Sequence, residues 1–225
     1  MREICFDTET TGLDPKEGDK ITEIGCVEII DRKITGNYFR EIINPGRKNS
    51  LESIEITGLT DEILKDKPIF SEISKAFLEF IGDSQLIAHN ASFDIGFLNY
   101  ELNLLGSEPL KNKVIDSLAL AKVKFPGKKN NLDILCERFS IDNTKRNKHG
   151  ALLDAELLAE VYLKLTEAEQ AQFFSDNKNN NQNLDIKKLL NQIEKREVRK
   201  SRNFKVKLDE LEKHEEFITN NIKVK

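Results

Sequence analysis

Arg2 to Leu13 read REICFDTETTGL, and this stretch decides how the rest of the chain is read. Ile4, Cys5 and Phe6 are β-branched or apolar, so the run from Glu3 to Asp7 is expected to be a strand with Asp7 and Glu9 at its end. Side chains two apart in a strand share a face, which sets the two carboxylates side by side. Two further segments carry residues of the same chemistry: Asp94 in LIAHNASFDIGFLNYE, and His149 with Asp154 in HGALLDAELLAEVYL. Hard divalent ions such as magnesium and manganese take oxygen ligands and keep part of their water shell. A few convergent carboxylates therefore suit them better than a closed cage, and Asp94 and Asp154 are expected to complete the site that Asp7 and Glu9 begin.

Outward from these segments the pattern is α/β. Ile21 to Ile30 and Ile34 to Ile43 read as strands joined by the polar Asp31-Arg32-Lys33, a hairpin. Ile69, Phe70, Ile73, Phe77 and Phe80 recur at helical spacing and predict a helix over about 69–81. The short apolar run Leu86-Ile87-Ala88 is a further strand, followed by a helix from about Ser92 with Phe93, Phe97, Leu98 and Leu102 on its inner face. Val114-Ile115 supplies a fifth strand. Helices near 118–123 and 131–139 follow, and a stronger one spans about 151–165. Three antiparallel strands followed by helices alternating with two more strands is the order of a five-stranded mixed sheet flanked by helices.

The chain has 225 residues, enough for one sizeable domain and an appendage. No stretch approaches the roughly 20 consecutive apolar residues of a membrane span, and acids at positions 3, 7 and 9 interrupt any secretory signal. An intracellular protein with no membrane partner is expected. Cys5, Cys26 and Cys136 lack CxxC spacing and are expected to pack in the core. The net charge of -4 hides a segregation: residues 1–166 hold 22 Lys+Arg and 28 Asp+Glu, whereas 167–225 hold 13 and 11. Between Lys122 and Lys148 eight basic residues face three acids and lead directly into His149. Such a stretch is a candidate phosphate-contacting rim.

After Thr166 the composition changes. Residues 176–183, DNKNNNQN, carry no core-forming side chain and read as a polar linker. The expected organisation is a domain over 1–175, a linker over 176–183 and a tail over 184–225. In that tail Ile186, Leu189, Leu190 and Ile193 make one narrow apolar face, too little for a core of its own. Such a segment is expected to be flexible until it docks on a partner.

The segments FDTETTGL (6–13), AHNASFDIGFL (88–98) and HGALLDAE (149–156) resemble, in order and spacing, the three exonuclease motifs of the DEDDh family. Within it they are most similar to the epsilon-type, proofreading branch found with bacterial DNA polymerase III. The resemblance covers about residues 1–166 and implies a ribonuclease H-like fold, cleavage at DNA 3′ ends and a cytoplasmic bacterial location. It implies Asp7, Glu9, Asp94 and Asp154 as ligands of two divalent metal ions, Mg2+ or Mn2+, with His149 as general base. An imidazole of ordinary pKa near 6.5 suits that task at neutral pH, and a position just before a helix leaves the ring mobile. The substrate side would be formed by Asp7, Glu9, Thr10, Gly12, Thr57, His89, Asn90 and Asp154. Thr57 is a departure, because that branch commonly has histidine there, and it puts the nucleotide-binding side of the cleft in question.

Gln170-Ala171-Gln172-Phe173-Phe174 resembles the peptide by which bacterial proteins bind the sliding clamp, through Gln170, Phe173 and Phe174. Phe173 and Phe174 could equally cap the last helix of the domain. The tail resembles, less closely, a segment that binds the polymerase (alpha) subunit, and a small accessory subunit is a further partner that the resemblance allows. Two other readings stay open at this point: a DEDDh exonuclease acting on RNA, and a noncatalytic polymerase-assembly subunit.

Overall fold

A computed structural model describes residues 1–144, 146 and 148–179, with 168–179 described as backbone only. The chain divides into two units, Met1–Asp176 and Asn177–Lys225, and the first is built on one sheet. Its sheet has five strands: β1 (Arg2–Thr10), β2 (Ile21–Ile30), β3 (Lys33–Ile42), β4 (Gln85–Ala88) and β5 (Val114–Asp116), in the order β3-β2-β1-β4-β5. The first three are antiparallel, while β4 and β5 run parallel to β1. The hairpin joining β2 to β3 turns on Asp31 and Arg32, both at positive φ (48° and 63°). Two consecutive left-handed residues are what a two-residue turn matched to strand twist requires.

Helices cover both faces. α3 (Phe70–Ile81) and α4 (Ala91–Leu104) lie on one side, where Phe77, Ile81, Phe97 and Leu102 pack on Ile4, Phe6, Ile24 and Cys26. α5 (Ser117–Lys124), α6 (Leu132–Phe139) and α7 (Ala151–Asn179) supply the second core, in which Ala121, Leu135, Ala155, Leu158 and Tyr162 meet Cys5, Val27 and Ile29. The alternation Ile4 and Phe6 against Cys5 is the period-two pattern of a central strand buried on both faces. All three cysteines are free and buried, in keeping with a packing role. Among the described residues no helix is long and apolar enough to cross a membrane.

Two differences from the sequence expectation matter for the site. β1 is longer than Glu3 to Asp7: β2 continues to pair with it as far as Thr10, whereas its parallel pairing with β4 stops at Cys5. Asp7 and Glu9 therefore lie within a strand, but beyond the point where its β4 neighbour ends, so that flank is open. Second, the chain between β3 and α3 forms two short helices, α1 (Leu51–Thr57) and α2 (Asp61–Leu64). Ser50 caps α1 by accepting from the Ser53 N–H, and Gly58 ends it at φ 78°.

Candidate active site

Ligands in open parallel sheets gather beyond the carboxyl ends of the strands, and the acidic residues converge at that end of β1 and β4. Asp94 sits in the first turn of α4, directly after β4. Its Oδ1 accepts hydrogen bonds from the Thr8 N–H (3.0 Å) and the Thr8 hydroxyl (2.7 Å). This pins α4 to the residue between Asp7 and Glu9. From the other face, α7 approaches β2 so closely that a Cβ on Gly25 would lie 2.2 Å from the Ala151 carbonyl carbon. Gly25 pairs with Asp7 across the sheet. Glu23, paired with Glu9, accepts the Ala151 N–H at the start of α7 (3.2 Å) and an Arg40 hydrogen bond (2.7 Å).

The result brings ligand atoms of Glu9, His149 and Asp154 within 4.8 Å of one another. His149 is 45% exposed at the side chain and Asp154 only 4%, with Nδ1 to Oδ2 at 3.2 Å. The His149 N–H donates to the Ile56 carbonyl of α1 (3.0 Å), which fixes the loop before α7. Carboxylates this close disfavour each other's charge. Burial and then Asp94, Glu9 and Asp154 push Asp7 well above the usual carboxylate range. Burial and the neighbouring Asp154 push Glu9 up to about 8. Burial pushes Asp94 to about 7, outweighing the two Thr8 hydrogen bonds. Asp154 goes the other way: burial would raise it, but hydrogen bonds from His149 and Arg146 hold it below its ordinary value. The hydrogen bond to Asp154 raises His149 in turn.

Arg146 is the residue that sequence reading assigned wrongly. Counted there among the phosphate-contacting rim, its side chain is 7% exposed and turned inward. Its Nε and Nη2 donate to the two oxygens of Asp154 (2.6 and 2.7 Å), and its Nη1 to Asp133 (2.5 Å). Nη2 also lies 2.8 Å from His149 Nδ1. A guanidinium only donates, so that contact requires Nδ1 to accept, whereas the contact with Asp154 requires it to donate; they belong to alternative tautomers. Lys124 and Arg138 leave the rim as well, one donating to the Lys164 and Leu165 carbonyls, the other to Asn130 and the Lys129 carbonyl.

Beside Glu9 a pocket is lined by Thr8, Thr10, Gly12 and Leu13 from the β1 side, Ser53, Ile56 and Thr57 from α1, and Phe93 from α4. Thr57 closes the last turn of α1, donating to the Ser53 carbonyl (2.8 Å) while accepting from the Leu59 N–H (3.1 Å). The room beside Gly12 is taken by the Asp19 carboxylate, which would lie 2.3 Å from an added Cβ.

The Exonuclease family matches residues 4–162. A DNA polymerase III subunit epsilon from Rickettsia typhi is 48% identical over 223 residues, covering 97% of this chain and 96% of that relative. The chain belongs to the epsilon family of proofreading 3′–5′ exonucleases. The Escherichia coli epsilon subunit is 48% identical over 182 residues, 77% of this chain and 75% of its own length. Among solved structures, exonuclease X in complex with 5′ overhanging duplex DNA superposes with a TM-score of 0.59 at 27% identity, covering 74% of this chain and 91% of that one. A DEDDh nuclease domain bound to rAMP, at 18% identity and a TM-score of 0.62 over 74% of this chain and 92% of its own, shares the fold.

Set against the residues expected of an epsilon exonuclease, Asp7, Glu9, Asp94, His149 and Asp154 stand at one end of the sheet, and Thr10, Gly12 and Thr57 line the adjoining pocket. His89 and Asn90 do not line it. His89 Nδ1 pairs with the Ser117 hydroxyl (2.9 Å) and burial lowers its pKa, while the Asn90 N–H donates to Asp116 (3.0 Å). Gly25, Glu23 and Arg146 were missed. Only Arg146 had a signal in the sequence, as a cation three residues before His149. Gln170, Phe173 and Phe174 fall on the backbone of α7 with side chains outside the described residues. The first linker residues, 176–179, belong to α7, and the tail over 184–225 lies outside the described residues.

Proposed function

We propose that this chain removes mispaired nucleotides from DNA 3′ ends for a bacterial DNA polymerase III, releasing nucleoside 5′-monophosphates in the cytoplasm. The observation that carries the reading is the convergence of Glu9, His149 and Asp154 within 4.8 Å, with Glu9 also lining the adjoining pocket. The residues fit a divalent cation. Glu9 Oε1 is buried without a hydrogen-bond partner, and Asp7, Glu9 and Asp94 are all driven toward the neutral acid, first by burial and then by nearby acids. A cation among them would relieve both. Asp7, Glu9, Asp94 and Asp154 would hold two ions, Mg2+ or Mn2+. When bound, such ions supply a water-derived nucleophile near neutral pH and stabilise charge on the attacking and leaving oxygens.

The chain's own groups do the rest. His149, exposed and tied to Asp154 through Nδ1, presents Nε2 to take the proton of the attacking water. Leu13, Ile56 and Phe93 offer apolar surface to the terminal base and sugar. Thr10 and Thr57 are assigned to the substrate side as pocket lining, their hydroxyl protons being engaged by the Gly12 and Ser53 carbonyls. A mispaired end costs less to unpair than a matched one, so selectivity can come from that difference without base readout. Residues 184–225 are assigned to the polymerase alpha subunit, the 176–183 segment to a linker after a domain over 1–175, and Gln170, Phe173 and Phe174 to the sliding clamp. A small accessory subunit is a further partner that membership of the epsilon family allows.

Digestion of labelled primers tests the reading. The purified chain should release mononucleotides from DNA 3′ ends, faster from mispaired than from paired termini and slower from RNA of the same sequence. Internal cuts, degradation from 5′ ends or a preference for RNA would overturn it.

A further inference from the structure

Arg146 occupies both oxygens of Asp154, at 2.6 and 2.7 Å. The residue thus engaged is 4% exposed, and the guanidinium itself 7%. This is a buried bidentate pair, the geometry in which arginine holds a carboxylate most firmly. A divalent cation needs a lone pair of the same carboxylate and repels a guanidinium a few ångströms away. The two occupants of Asp154 therefore compete. Arg146 is also anchored independently, since Asp133 of α6 accepts from its Nη1 at 2.5 Å, so it can leave Asp154 without losing every partner. Asp133 is the more exposed of its two acids, 46% against 4%.

We propose that Arg146 is the resident counter-ion of the carboxylate cluster, held on Asp154 until a divalent cation displaces it toward Asp133 and the cleft. Without it, Asp154 would keep His149, 3.2 Å away, as its ion-pair partner among the described residues. Its withdrawal has a second effect. His149 Nδ1 is released from a donor at 2.8 Å and is free to donate to Asp154 Oδ2 at 3.2 Å, the tautomer that leaves Nε2 unprotonated. Metal loading and the readiness of the base are coupled through one side chain. Arg146 is on this account a positioning residue that sets how tightly the site takes metal.

The inference rests on the proposed reading of Asp154 as a metal ligand, and the test separates the two. Mn2+ alone is titrated into the full chain and the free ion read by its electron paramagnetic resonance signal, alongside thermal unfolding with and without Mn2+. Arg146→Gln should bind Mn2+ more tightly than the unsubstituted chain, by about tenfold, and should unfold at lower temperature when metal-free. Arg146→Lys, which keeps the charge but not the bidentate fork, should lie between, and it decides the matter should Arg146→Gln not fold. Asp154→Asn should weaken Mn2+ binding and erase the effect of Arg146→Gln in the double variant. Mn2+ affinity unchanged or weakened in both Arg146 variants, with Asp154→Asn still weakening it, overturns the counter-ion role alone. Mn2+ binding indifferent to Asp154→Asn overturns the ligand reading and this inference with it.

Discussion

The Gly25 Cα faces the first residue of α7 so closely that a methyl group there would stand 2.2 Å from the Ala151 carbonyl carbon and 2.2 Å from the Leu152 nitrogen. Both are backbone atoms and neither can rotate away. Because Gly25 is the register partner of Asp7, this contact sets the separation between the β1 carboxylates and Asp154 one turn into α7.

Gly25→Ala should accordingly push α7 off the sheet, at a cost of about 1–3 kcal/mol for overpacking, and cut cleavage more than stability alone explains. Gly96 in α4 is the control. An added Cβ there meets nothing within 4 Å, and alanine should stabilise by up to about 1 kcal/mol through helix propensity. Urea unfolding combined with single-turnover cleavage measures both, and equal effects of the two substitutions would contradict the account.

Asp7→Ala or Asp154→Ala should abolish metal-supported cleavage. His149→Ala should slow single turnover by about 10²- to 10⁴-fold, the usual contribution of a general base. Mn2+ binding should be nearly unchanged in His149→Ala, since the carboxylates hold the ions. Full single-turnover activity in that variant would assign the proton to another acceptor.

Local chemistry was legible in the sequence where neighbours along the chain suffice to specify it. The strand bearing Asp7 and Glu9, the hairpin at Asp31-Arg32 and the helices carrying Asp94 and Asp154 all follow from periodicity and turn residues. What was not legible depends on contacts across long separations. Glu23 reads as an ordinary strand acid until Ala151, 128 positions away, is seen to donate to it. Arg146 lies in a basic run, and nothing local shows that it turns inward to Asp133 and Asp154. Gly12 was expected on the substrate side and lines the pocket, but nothing local shows that the Asp19 carboxylate fills the space where its Cβ would be. α1 was missed because its seven residues are too few to show a clear helical period.

The crowded carboxylates fix the sign of a pH effect. Glu9 is raised to about 8 and Asp94 to about 7, and Asp7 is raised as well, each first by burial. In the unfolded chain such groups ionise near their ordinary values of about 4. Between about pH 4.5 and 8 the unfolded state therefore releases protons that the folded cluster keeps, and stability falls as pH rises. His149, raised by its hydrogen bond to Asp154, adds stability at low pH that is lost above its folded pKa, so it has the same sign. Asp154 is lowered and opposes this only at the acid end, where its contribution disappears as pH falls. Melting temperatures of the metal-free chain should decline from about pH 5 to about pH 8, and saturating Mn2+ should flatten the decline. A metal-free profile that is flat or rises over that window would contradict the raised values.

The last prediction concerns assembly. Beyond Asp176 the composition turns polar, and helical spacing in the sequence would give Ile186, Leu189, Leu190 and Ile193 one apolar face, too narrow for a core. Such a segment gains more by docking on a partner than by folding alone. Tethering through a short polar stretch would keep the nuclease near the primer end at raised effective concentration, so weak individual contacts suffice. Every residue of the cleft, from Asp7 to Asp154, lies before the tail, so deleting residues 176–225 should leave cleavage of free single strands close to normal. The same deletion should abolish copurification with the polymerase alpha subunit. Gln170→Ala combined with Phe174→Ala should weaken binding to the sliding clamp and leave the polymerase contact intact. A truncated chain that still binds the polymerase with unchanged affinity would move the contact onto the nuclease domain.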